Sequence, residues 1–251
     1  MLALAVLPVL QDNGFSTAPL TVATYAVAAA AGAMLPDFDH RHATVAQSLG
    51  PVSKGLAIGI EKVSGGHRNG THSLVGVAVF TAVAFLVGFL SPVLAFVGVP
   101  AGRADLAGRV VTGLWLAFLF AVATTALRVK PVGNQVMWSL LCIAGGVALA
   151  VSTWLVKVPL EVIPVAVAIG AVAHLAGDML TKEGCPLLYP WNRFRFKVAN
   201  FTTDRFFERN ILGPGLGMVA VVQVVMLTGL LPWTWGDLWE MASAAVGPLL
   251  S

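Results

Sequence analysis

Residues 18–42 read APLTVATYAVAAAAGAMLPDFDHRH. The first part, 18–35, carries no charged side chain and ends at Pro36-Asp37. That is close to the roughly 20 apolar residues a bilayer-crossing helix requires. Proline cannot continue such a helix with its hydrogen bonds intact. Asp37, Asp39, His40 and His42 then follow at once. One stretch therefore predicts both a membrane span and a polar cluster at its exit.

The rest of the chain has the same character. Of its 251 residues, 57% are apolar and only 11% charged, with a mean hydropathy of +0.84. A soluble domain carries about 25% charged residues. The expected class is all-α: a polytopic helical membrane protein forming one membrane-embedded domain over 1–251, with polar loops at 36–73 and 182–210. A net charge of +3 is small, and basic residues interleave with aromatics only over 193–209, so no nucleic-acid partner is expected. Neither a Gly-rich phosphate loop nor a GxSxG elbow is present. Cys142 and Cys185 stand alone, which points to neither a disulfide framework nor a thiolate metal site.

Six spans are expected, at 18–35, 72–99, 108–127, 136–156, 159–181 and 211–231. Ser91-Pro92 should kink or end the second. Residues 1–10 are apolar but too short to cross, and read as a fragment of an earlier helix. Between the first two spans, Val45–Val63 spaces apolar residues helically around Lys54, Glu61 and Lys62, which predicts an interfacial amphipathic helix or helix pair. Trp233, Trp235 and Trp239 read as an interfacial belt. If the spans alternate, loops 36–71, 128–135 and 182–210 share one side and hold twelve of the fifteen Lys and Arg. That side should be cytoplasmic.

The same alternation brings three polar groups to one face: Asp37, Asp39 and His40 after the first span, His67 and His72 before the second, and His174 and Asp178 at the end of the fifth. Imidazole and carboxylate are the donors of zinc and similar divalent ions. His174 and Asp178, four apart, share a helix face. An aspartate inside a span costs about 2.5–3.5 kcal/mol on insertion scales, and a cation offsets that. Each residue also has a plainer reading. Asp37 can cap a helix. His67 can be an ordinary loop residue, and His72 a helix-start residue. His174 and Asp178 can form an intramembrane pair or proton relay. His42 reads as a solvated loop residue. The joint reading is a divalent-metal site, zinc foremost with manganese or iron as alternatives, with donors enough for two or three ions. Its ligands would be Asp37, Asp39, His40, His67, His72, His174 and Asp178, with Asp39, His72 and Asp178 as catalytic groups. Arg68, Thr181, Arg193 and Arg195 are the candidates for contacting substrate.

Three motifs in order, Leu35-Pro36-Asp37-Phe38-Asp39-His40, His67-Arg68-Asn69-Gly70-Thr71-His72-Ser73 and His174-Leu-Ala-Gly177-Asp178-Met-Leu-Thr181 with Gly184 and Leu187-Leu188-Tyr189-Pro190, resemble the YdjM-type inner-membrane family over about residues 20–210. The resemblance implies a multi-pass protein of a bacterial-type inner membrane, metal-dependent hydrolase activity and a metal site on the residues named above. Members of that family begin with a short His-bearing segment, whereas the first histidine here is His40. That predicts a start further upstream or one ligand fewer. A weaker similarity, through the His174-x3-Asp178 element, is to the zinc-dependent phospholipase C and P1 nuclease group. It implies phosphoester hydrolysis by metal-activated water on a lipid or lipid-linked phosphate, with membrane lipids as the surrounding partners. The competing functions are an ion- or proton-coupled transporter and a non-catalytic membrane protein stapled by a metal.

Overall fold

The computed structural model describes residues 18–43, 45–126, 134–156 and 160–199. Among these are seven α-helices and no strand: α1 (Pro19–Gly32), α2 (Pro51–Val63), α3 (Leu74–Gly88), α4 (Leu90–Phe96), α5 (Ala101–Ala126), α6 (Gln135–Val156) and α7 (Val162–Met179). Four are long and apolar enough to cross a membrane, and α3 with α4 makes a fifth, bent by 69°. These match the first five expected spans. The sixth expected span, residues 1–10 and the tryptophan belt lie outside the described residues.

Large apolar side chains on the outer faces of the spans, among them Leu106, Val110, Leu140, Leu155 and Phe85, are exposed. Water would penalise such a surface, whereas lipid tails solvate it. Apolar transfer cannot drive helices together inside a bilayer, so close packing must do so. The α1–α7 pair shows how. A Cβ at Gly32 would come within 2.6 Å of the Val167 carbonyl oxygen, and one at Gly170 would collide with the backbone of Ala29. The two backbones approach this closely because neither glycine carries a side chain. The α5–α6 pair meets similarly where Gly146 faces Ala117. Phe38 sits edge-on to Phe118, ring centroids 5.5 Å apart, and fixes the exit of α1 against α5.

Most span ends lie within three residues of the sequence expectation, and two boundaries depart from it in an instructive way. The second span breaks at Phe89, not at Ser91-Pro92. Pro92 falls in the first turn of α4, where a missing N–H costs nothing. The third span starts at Ala101, seven residues before the apolar run at 108, and in this extension Asp105 pairs with Arg109 one turn apart. The amphipathic stretch resolves into a 3-10 turn, Val45–Gln47, followed by α2. Only Ser53 and Ala57 of α2 are buried, and a bidentate Arg41–Glu61 pair (2.9 and 3.0 Å) ties the helix to the exit of α1.

Candidate metal centre

The polar site lies where α1 and α7 end and α3 begins. A 3-10 turn, Pro36–Asp39, continues from α1 and carries both aspartates. A second, Gly70–His72, leads into α3, whose cap is Ser73: its hydroxyl donates to the Gly70 carbonyl (2.6 Å) and accepts the Gly76 N–H (3.2 Å). His174 and Asp178 lie on one face of the last turns of α7.

Four donors from these elements surround one void. His72 Nε2 stands 3.4 Å from Asp37 Oδ1 and 3.5 Å from Asp178 Oδ2. His174 Nε2 stands 3.7 Å from each of the same two oxygens. Nitrogen and oxygen therefore alternate around the void. Asp37, His72 and His174 alone hold their ligand atoms within 4.8 Å of one another. His72 Nε2, His174 Nε2 and Asp178 Oδ2 are buried, yet none is aligned for a hydrogen bond. Three orphaned polar atoms facing each other are costly unless something sits between them. Tetrahedral donors around zinc, with bonds of about 2.0–2.2 Å, lie about 3.3–3.6 Å apart. The four nitrogen–oxygen distances, 3.4–3.7 Å, are close to that, with Asp37, His72 and His174 as the compact group and Asp178 adjoining both imidazoles, and the donor types suit a borderline metal ion.

Asp39 has a different part. It is fully buried and saturated: it accepts His67 Nδ1 (2.8 Å), the backbone N–H of Arg68 (2.9 Å) and the Thr71 hydroxyl. The Thr71 oxygen lies 3.1 Å from His72 Nδ1. With its own proton given to Asp39, Thr71 accepts from His72, which places the proton of a neutral ring on Nδ1 and the lone pair on Nε2. This is the carboxylate-backed arrangement that fixes metal-binding histidines. Burial opposes a charge on His72, but Asp37 and Asp39, with the field of Asp178, push its pKa up to about 9. Without a metal the acidic surroundings hold a proton there instead.

His67 and His40 stand outside the void. Their rings lie 4.8 Å apart, and His67 is spent on Asp39. His42, exposed, adjoins His40 at 5.7 Å. Arg68 occupies the rim. Its backbone is left-handed, with φ +59°, which is uncommon for a residue with a side chain. Its guanidinium reaches Asp178 Oδ1 (3.5 Å) and Glu183 (2.9 Å). The Thr181 hydroxyl donates to the Asp178 carbonyl (2.8 Å), so it closes the helix end and does not face the void. Arg193 and Arg195 are exposed and form no hydrogen bond or ion pair among the described residues.

Two supporting residues carried no assigned role in the sequence. Thr71 could have been noticed as a hydroxyl beside His72. Cys185 could not: its buried thiol donates to the His72 carbonyl (2.8 Å) across 113 residues of chain. Burial, then the charge of Asp178, pushes that thiol up to about 12, which keeps it a donor. Cys185 also pairs with Phe196 through two backbone bonds (3.1 and 2.9 Å), and the Leu74 N–H donates to Leu187 (3.0 Å). The segment after α7 thus folds back onto the start of α3.

The family model described as YdjM inner membrane protein matches residues 1–238. Neither a curated protein nor a solved structure matches the chain.

Proposed function

The chain belongs to the YdjM inner membrane protein family, and from the geometry above we propose that it is a metal-dependent hydrolase acting at the membrane face on a phosphoester of a lipid or other membrane-proximal substrate. The observation carrying this reading is the set of three orphaned atoms, His72 Nε2, His174 Nε2 and Asp178 Oδ2, closed by Asp37. Those four residues would hold the ion, zinc being the best fit to two imidazoles and two carboxylates. The chemistry such an ion supplies when bound is polarisation of a phosphoryl oxygen and acidification of water. Asp39, acting through Thr71, orients His72 and is therefore a positioning residue. Arg68, on the rim, would exchange its pairing with Asp178 and Glu183 for an anionic oxygen of the substrate. The void among the four donors suits one ion. A multi-ion centre would need His67 to leave Asp39, or His40 to turn inward. The cytoplasmic side remains our assignment for the site, on the distribution of Lys and Arg.

The test is turnover by the purified full chain on phospholipid vesicles and on a soluble aryl phosphate. It is run with zinc or manganese, with a chelator, and in His174→Ala. Expected is hydrolysis that requires added metal and disappears in the folded variant. Metal binding with no hydrolysis of either substrate, and only a lower melting temperature on chelation, would assign the centre to structure instead.

A further inference from the structure

An apolar groove of about 970 Å³ begins beside the centre and runs away from it between α2, α3 and α5. Its near end is lined by Phe38, Gly70 and Thr71, the chain neighbours of the donors Asp37 and His72, while no donor itself lines it. Its length is marked by Val75, Val79, Val83 and Val87, one stripe four residues apart along α3. From the first to the last of these the helix rises about 18 Å. One leaflet of hydrocarbon, half of a core of roughly 30 Å, is about 15 Å deep. A groove of that length, measured from the polar centre, matches the depth of one leaflet.

The wall that α2 contributes is unusual. An amphipathic helix normally buries its apolar face on the protein beneath it. Here Val52 and Leu56, both lining the groove, are 67% and 53% exposed, and Val63 is 91% exposed. The helix is held instead by Ser53, Ala57 and the Arg41–Glu61 pair, and stands off α3 by the width of the groove.

We infer that this groove seats the hydrocarbon chain of a membrane lipid whose polar head lies at the Asp37–His72–His174–Asp178 centre. This rests on the reading of that centre as the place where a phosphoester is bound, and it names the substrate class: an amphiphile presented from within the leaflet. The volume lies within the range of about 300–1,000 Å³ that ligand pockets occupy.

Gly59 and Gly55 provide the test. Both are on α2, and a side chain at either meets nothing within 4 Å, but only Gly59 lines the groove. Gly59→Trp should fill the groove without disturbing the fold, and Gly55→Trp is its control. The full chain is reconstituted in phosphatidylethanolamine–phosphatidylglycerol vesicles containing a phospholipid with a diazirine near the end of one acyl chain. It is then irradiated, and the labelled peptides are mapped. Expected is labelling concentrated on the α3 valine stripe and the groove face of α2. It should fall to the level of the outer face of α6 in Gly59→Trp and persist in Gly55→Trp. Equal labelling of the groove and of α6 around Leu140 and Leu155, unaffected by Gly59→Trp, would overturn the inference and leave only surrounding bulk lipid. Metal content is measured on the same preparations. Concentrated labelling on metal-free protein would keep the lipid site and remove the hydrolase reading, so the two fail separately.

Discussion

At one end of the bundle Asp105 and Arg109 face each other on α5, 2.8 Å apart and both more than half exposed, with Arg109 lying 6.0 Å over the ring of Trp154. At the other end Asp37, Asp178, His72 and His174 face each other at 3.4–3.7 Å, largely buried and unaligned. The first group is one acid and one base, already satisfied and wet. The second has two carboxylates and two imidazoles whose Nε2 atoms face them, with the Arg68 guanidinium reaching only Asp178 Oδ1, at 3.5 Å. Both groups are anchored by helix pairs that meet through small residues, so packing does not distinguish them. The difference lies in whether the charges complete one another. Only the second group asks for a cation.

The strongest way to break the contrast is to force α1 and α7 apart. Gly170→Leu meets the Ala29 backbone, so we expect both a destabilisation of about 1–3 kcal/mol and loss of metal. Thermal unfolding in detergent and elemental analysis read the two effects. Removing one donor charge separates them: Asp37→Asn should abolish stoichiometric metal while size-exclusion and circular dichroism remain unchanged. Asp39→Asn should act less severely, because it loosens His72 without removing a ligand. Affinity should weaken about 10–100-fold, read by competition with a chromogenic chelator. Thr71→Val breaks the same link at one hydrogen bond, with an expected effect near 1 kcal/mol on that affinity. At the satisfied end, Asp105→Asn should change stability by less than about 1 kcal/mol and leave metal content untouched, since an exposed pair is worth little.

Much of this was legible in the sequence. Long apolar runs mark spans whatever their packing, so five of the expected six coincide with described helices, and alternation brought the right motifs to one face. Boundaries were less legible. A hydropathy run ignores Arg103, Asp105 and Arg109, which α5 accommodates in its first turns. Proline marks a break less sharply when it falls in a first turn, as Pro92 does. In the site, Asp37, His72, His174 and Asp178 could be gathered by residue type and spacing. The division between donors and supports could not be. Asp39 and His67 have the same chemistry as the donors but spend it on each other. The Cys185–His72 bond spans a distance in sequence at which no local pattern exists.

The central claim is that the four inward donors hold a divalent ion. Elemental analysis of the purified full chain, beside His72→Ala and Asp178→Ala, addresses it most directly. The account predicts a stoichiometric divalent ion in the parent protein that is absent from both variants while their helical content is retained. Well-folded parent protein that takes up no zinc or manganese when either is supplied, or variants that bind as much as the parent, would contradict it.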